Sequence, residues 1–358
     1  MRNVPRKRIL ILIFIFIIVI EAGVLLRDRF SGDSDFELQK LEATLPQEDF
    51  SGISSATERD RWSKIMDLAG GEEAYKEFKR EYENKSFGTQ HLAAHIIGTL
   101  LYQKEGIVGQ SICDSTFSFG CYHSFFSQAL AENGPSIIGK LNQVCVDKFG
   151  PLGTGCQHGI GHGIMDYFGP AKLASALDKC SELGQKFPLL GCSSGVFMEY
   201  NQPVIIDPND TRIVPRKFDQ KEIYAPCTSV SEKWQQSCYY ELTQYWVQST
   251  PYKGDYNKIG LLCDGISPKN NEKNKEACFF GIGNAASADM RFDSEKTLET
   301  CGKMPNKQAG IICQAGAYWA FYSNIPSRAL AVKMCESNSQ TETAECLKRG
   351  DLVYSSRQ

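Results

Sequence analysis

Five histidines occur in the 358 residues: His91, His95, His123, His158 and His162. Four of them form two pairs spaced i, i+4, in Gln90-His91-Leu-Ala-Ala-His95-Ile-Ile and Gln157-His158-Gly-Ile-Gly-His162-Gly-Ile. On a helix that spacing puts both rings on one face. Two such imidazoles can hold one metal ion. Imidazole suits zinc, copper and iron, and it is also an axial ligand of haem iron. The expected cofactor is therefore a transition metal (Zn, Cu or Fe) or haem. Two alternatives stay open: a polar ligand pocket without metal, and a structural histidine inherited by duplicated units. Glu199, Glu241 and Met198 are further candidate ligands, because two histidines with a carboxylate bind zinc or non-haem iron. No His-Glu dipeptide occurs, which weakens an oxygenase reading, and Glu241 on a solvated surface fits the sequence equally well.

The elements that would position these residues are counted out by the cysteines. They stand at Cys113, Cys121, Cys145, Cys156, Cys180, Cys192, Cys227, Cys238, Cys263, Cys278, Cys301, Cys313, Cys335 and Cys346. Short steps of 8, 11, 12, 11, 15, 12 and 11 alternate with long steps of 24, 24, 35, 25, 23 and 22. Such alternation marks an internal repeat. The second cysteine of each pair opens a similar phrase, as in Gly155-Cys156-Gln-His-Gly-Ile and Ala277-Cys278-Phe-Phe-Gly-Ile. The first closes a helix-like run, as in Arg328-Ala-Leu-Ala-Val-Lys-Met-Cys335. Turn signals at Asn133-Gly134-Pro135, Gly169-Pro170 and Pro326 divide the long steps. The period predicts an all-α chain: an αα-hairpin solenoid of seven to eight units of about 35 residues, each a helix A, a turn and a helix B. Bonding within each short pair would staple the end of one B to the start of the next A. Free buried cysteines, or bonds between neighbouring A helices, are the alternatives.

Counted from the second cysteine, His123 and His158 occupy position +2 and His162 occupies +6. Aligning the two i, i+4 phrases puts His91 at +2 and His95 at +6 of a first unit that lacks cysteine. Later units carry Ser194, Tyr240, Phe280 and Ala315 at +2, so the fold does not demand histidine there. The +6 row continues through Met198, Gln244, Asn284 and Trp319, which reads as a groove and not a core. Position +3 is glycine at Gly159, Gly195, Gly281 and Gly316. Glycine costs a helix about 1 kcal/mol relative to alanine, so its repetition implies a close approach, most simply by a neighbouring helix.

Over residues 85–350 this layout resembles the Sel1/TPR-type αα-hairpin repeat proteins, including secreted members with one disulfide per repeat. The usual TPR consensus residues are absent, so the resemblance implies a fold and no partner. The phrases His91-Leu-Ala-Ala-His95-Ile-Ile-Gly98, Gly155-Cys-Gln-His-Gly-Ile-Gly-His-Gly163 and Gly195-Val-Phe-Met-Glu-Tyr-Asn201 also look like those of an uncharacterised bacterial exported His/Cys-repeat family, which implies no chemistry.

Arg2, Arg6, Lys7 and Arg8 precede an apolar run over 9–26 that Glu21 interrupts. Basic residues on that flank predict a cytoplasmic N-terminus and an exported remainder, with the lipid bilayer as a partner through 9–26. An uncleaved signal-anchor fits better than a cleavable signal peptide, because a cut after Ala22 places Ile20 at −3 and a cut after Gly23 places Glu21 there. The predicted organisation is a cytoplasmic tail over 1–8, the anchor over 9–26, a polar tether over 27–57, the helical domain over 58–350 and a tail over 351–358. Within the domain, residues 201–226 form an irregular insertion with Pro203, Pro208, Pro215 and Pro226, a segment that could lid the groove. Residues 58–83 read as two short helices broken at Gly70-Gly71.

Fourteen cysteines without a C-x-x-C point to an oxidising compartment, periplasmic or extracellular. A net charge of −3 and pI near 6.0 supply no basic surface for nucleic acid. There is no G-x-S-x-G, no P-loop and no dinucleotide fingerprint, and Gly159-Ile-Gly161-His-Gly163 lacks a preceding strand. The expected function is metal or haem binding by the five histidines. The alternatives are a scaffold that takes a protein or peptide into the A-helix groove, and a metalloenzyme using Glu199 or Glu241.

Overall fold

The structure is a computed structural model. It describes residues 56–352 apart from 86, 118, 151–152, 184–188, 202–215, 250, 267–271 and 337–338. The expected tail and anchor, and all but the last two residues of the tether, lie outside the described residues. No described helix is long and apolar enough to cross a membrane.

Every regular element among the described residues is helical. In chain order these are α1 (Ala56–Tyr82), α2 (Phe87–Glu105), α3 (Gly120–Asn133), α4 (Ile138–Phe149), α5 (Thr154–Phe168), α6 (Leu173–Cys180), α7 (Cys192–Asn201), α8 (Glu232–Gln248), α9 (Tyr256–Asp264), α10 (Glu272–Asp289), α11 (Ser294–Gly302), α12 (Lys307–Ser323) and α13 (Gln340–Leu352), joined in places by short 3₁₀ turns. α1 is two helices merged across Gly70, whose φ of 80° lies outside the helical region, as its Gly-Gly step predicts. α3 and α5 end at Gly134 and Gly169, both in positive-φ backbone and each followed by proline. That pairing stops a helix and turns the chain. Asp255, Asp293 and Asn306 start α9, α11 and α12 by accepting backbone N–H groups with their side chains.

Helices α2, α3, α5, α7, α8, α10 and α12 pack side by side in that order. They are the A helices, and most of their length is buried. Helices α4, α6, α9 and α11 are the B helices; in α4 and α6 only a few residues are buried and the basic ones lie outside. The architecture is thus a helical repeat. All fourteen cysteines are in seven disulfides, Cys113–Cys121, Cys145–Cys156, Cys180–Cys192, Cys227–Cys238, Cys263–Cys278, Cys301–Cys313 and Cys335–Cys346, which is the short-pair pattern. Each closes a short loop, worth about 2–3 kcal/mol on the chain-entropy account.

Adjacent A helices touch backbone to backbone at glycine. A Cβ on Gly195 would lie 1.9 Å from the carbonyl oxygen of His158, and one on Gly316 would lie 2.0 Å from that of Phe280. On the opposite sides, a Cβ on Gly161 would lie 2.0 Å from the Cys192 carbonyl oxygen and one on Gly283 would lie 1.8 Å from that of Cys313. The +3 glycines are therefore helix contacts.

The described part of the insertion packs against α7, α8 and α9. Arg216 lies against the Tyr200 and Tyr245 rings and donates to Asn201 Oδ1 at 2.6 Å. Trp246 Nε1 donates to Ile223 O at 3.2 Å, and Tyr224 hydroxyl donates to Leu262 O at 2.9 Å. Residues 202–215 lie outside the described residues.

Gly161→Ala and Gly283→Ala should each lower stability by about 1–3 kcal/mol through overpacking, although alanine is the better helix former. Gly139→Ala, in α4 with nothing within 4 Å of the new methyl, should be neutral or stabilising. Urea unfolding of the oxidised protein reads both.

Candidate metal centre

Three neighbouring A helices bring all five histidines together. α2 carries His91 and His95, α3 carries His123, and α5 carries His158 and His162. His123 stands in the middle: its ring centroid is 4.9 Å from His91, 5.3 Å from His95, 5.4 Å from His158 and 4.0 Å from His162. Two groups result, His91/His95/His123 and His123/His158/His162, and within each the three candidate ligand nitrogens lie within 4.8 Å of one another. His95, His123 and His162 are buried, while His91 and His158 are partly exposed and line a pocket.

In each i, i+4 pair the Nε2 atoms face one another, at 3.3 Å for His91/His95 and 3.0 Å for His158/His162. The Nδ1 atoms of three rings are engaged from behind. His91 Nδ1 lies 2.8 Å from Phe117 O, His158 Nδ1 2.9 Å from Ser194 Oγ, and His162 Nδ1 2.8 Å from Glu199 Oε2. Ser194 in turn donates to Glu241 Oε1 in a short hydrogen bond. Outer partners of this kind fix the tautomer and orient a metal-binding imidazole. A carbonyl oxygen only accepts, so His91 carries its proton on Nδ1 and turns an Nε2 lone pair towards His95. Among the described residues His123 has no hydrogen-bond partner at either ring nitrogen, and His95 has none at Nδ1. Each such orphan costs about 1–3 kcal/mol in a buried site.

Two proton arrangements satisfy the second pair. In one, His158 Nδ1–H donates to Ser194, Ser194 donates to the Glu241 carboxylate, and His158 and His162 present two bare Nε2 lone pairs 3.0 Å apart. A cation beside them relieves that repulsion. In the other, a proton on Glu241 reverses the relay, and His158 Nε2–H donates to His162 Nε2. The buried Glu241 carboxyl makes the second arrangement accessible: desolvation pushes its pKa up to about 8, against the hydrogen bond from Ser194, which lowers it. Burial holds all five imidazoles below their usual range. His158 is pushed down to about 3, and proximity to the other rings lowers His95, His123 and His162 further. At neutral pH the rings are uncharged, so metal need not displace protons from imidazolium.

Glu199 and Glu241 thus stand behind the histidines and not beside them. Met198, Gln244, Asn284 and Trp319 line the same pocket as His91, His123 and His158, a space of about 220 Å³ whose walls include Phe119, Tyr240 and Phe292. The first unit is displaced by one helical turn from its sequence alignment. Gly98 faces the Cys121 carbonyl just as Gly161 faces that of Cys192, a Cβ on either lying 2.0 Å from the oxygen, so His95, not His91, is the counterpart of His158. His91 instead joins the row of Phe119, Thr154 and Leu190 at the pocket rim. Ser194, which in sequence is a mere replacement for histidine, links His158 Nδ1 to Glu241. Its place at +2, in line with His123 and His158, was the available signal.

Comparison with known proteins returns nothing: no family model, curated protein or solved structure matches this chain.

Linkage gives a signed prediction for the metal-free protein. The histidine pKa values are depressed from 6.5 in the folded state, so below pH 6.5 the unfolded chain binds more protons and stability falls with acidification. Glu241 is raised from 4.5 to about 8, so between those values the folded state binds more protons and stability falls as pH rises. At pH 6.5 the five histidines of the unfolded chain still hold about half a proton each, more than Glu241 offsets, and the two effects balance roughly half a unit higher. The thermal midpoint should therefore peak near pH 7. His158→Gln/His162→Gln should flatten the acid limb and Glu241→Gln the alkaline limb in melts from pH 5 to 8.

Proposed function

We propose that this protein binds transition metal through its histidine cluster, on an αα-hairpin solenoid held outside the cytoplasm by residues 9–26. The observation that carries it is the convergence of paired Nε2 atoms, with three of the four rings, His91, His158 and His162, aimed from behind by Phe117 O, Ser194–Glu241 and Glu199. Seven disulfides support the exported location, because cytosolic thiols stay reduced. With every cysteine bonded, no thiolate is available and the donors are imidazole nitrogens. That donor set suits zinc, copper or iron. A bare ion fits better than haem, because the paired nitrogens lie 3.0 and 3.3 Å apart on single helices and leave no gap for a porphyrin plane. Three nitrogens per ion leave an open coordination position, and the pocket-lining faces of His91, His123 and His158 direct it towards a small molecule and not a peptide. Storage, delivery and metal-assisted chemistry are all served by such a site.

Elemental analysis of the purified oxidised protein should find at least one zinc, copper or iron per chain, retained on dialysis and reduced in His158→Ala/His162→Ala. No retained metal after loading with each of the three would end the proposal. Affinity should also depend on pH. Occupation of His158 Nε2 expels the relay proton, so the apparent Kd should fall about tenfold per pH unit up to pH 8 and level off above it. Glu241→Gln should flatten that profile in a chelator competition from pH 6.5 to 9.

A further inference from the structure

The metal centre holds one ring more than two separate pairs need, and that ring has an unusual environment. His123 belongs to both candidate groups. It is 3% exposed, and neither of its nitrogens has a hydrogen-bond partner, although the other four rings each have at least one. No side chain or carbonyl behind it selects a tautomer. A histidine built to serve one ion through one nitrogen is normally held by a hydrogen bond at the other. Here α3 carries a single ring between the α2 pair and the α5 pair, with both nitrogens kept free.

We infer that the centre is dinuclear and that His123 bridges two ions as an imidazolate, one ring nitrogen to each. His91 and His95 complete one ion's nitrogen set, and His158 and His162 complete the other's. This rests on the metal-binding reading above. Coordination at both nitrogens releases the His123 ring proton to solvent and forms no other bond than the metal–nitrogen ones. The charges suit a buried centre: against two divalent ions stand the imidazolate and the carboxylates of Glu199 and Glu241, both buried. The ring is also correctly placed in the chain order, since α3 packs between α2 and α5.

Copper(II) alone is the probe. The wild-type oxidised protein is titrated with it, copper per chain is counted, and the electron paramagnetic resonance intensity is compared with that count. The bridge predicts two copper ions per chain with most of the intensity lost at low temperature, because an imidazolate couples the two spins antiferromagnetically. His91→Ala/His95→Ala should then bind one copper with full intensity. Two ions with full, uncoupled intensity in the wild type overturn the bridge. One ion per chain with full intensity also overturns it, while leaving metal binding standing. No bound copper overturns the bridge, and with zinc and iron unretained as well it overturns metal binding too. The decisive measurement uses the unmodified protein, so a folding defect in the variant does not affect it.

Discussion

Everything at the histidine site depends on how closely successive A helices approach. Helices separated by ordinary side chains sit 8–10 Å apart, too far for short imidazoles on three of them to share a centre easily. Gly98 between α2 and α3, and Gly163 between α3 and α5, remove that spacing and let backbone meet backbone: a Cβ on Gly98 would lie 2.0 Å from the Cys121 carbonyl oxygen, and one on Gly163 would lie 2.8 Å from that of Phe126. The cost is helix propensity, roughly 1 kcal/mol per glycine, offset by tight packing and by disulfides that fix each B-to-A junction. The scaffold is therefore a means of compressing one row of side chains into a line of touching rings.

That compression sets the electrostatics. Rings 4–5.4 Å apart in a desolvated row cannot share several positive charges, so they stay neutral and offer lone pairs. A row of lone pairs is itself unfavourable without a cation or a well-placed proton. In the proposed metal site the Glu241–Ser194–His158 relay would supply the proton in the absence of a cation, and its reversal would free Nε2 for one. Binding and protonation would then be two states of one hydrogen-bond chain.

Much of this was legible in the sequence because two kinds of residue recur at fixed steps. Alternating cysteine gaps revealed the helical period and the short-pair disulfides, since a staple between consecutive helices needs a short, repeated spacing. The histidine rows followed from that period. What failed did so for physical reasons. The first unit has no cysteine to mark its origin, so matching the two His phrases shifted it by one turn; the backbone contact of Gly98 decides the register, and a lone glycine in an apolar run does not announce which neighbour it meets. Ser194, Glu199 and Glu241 come from the next two A helices, and only packing shows them behind the rings. The histidine, amide and tryptophan positions lining one pocket could be read as a face, but not as a pocket, because its other walls, Phe119, Leu190 and Phe292 among them, come from outside those two positions of the period.

The central claim is that imidazole nitrogens of this cluster hold the metal. X-ray absorption at the edge of the bound metal in the loaded wild-type protein tests it most directly. The account predicts a nitrogen shell at about 2.0–2.1 Å with the outer-shell scattering of about three imidazole rings per ion. A shell of oxygen or sulfur ligands without imidazole scattering would contradict it.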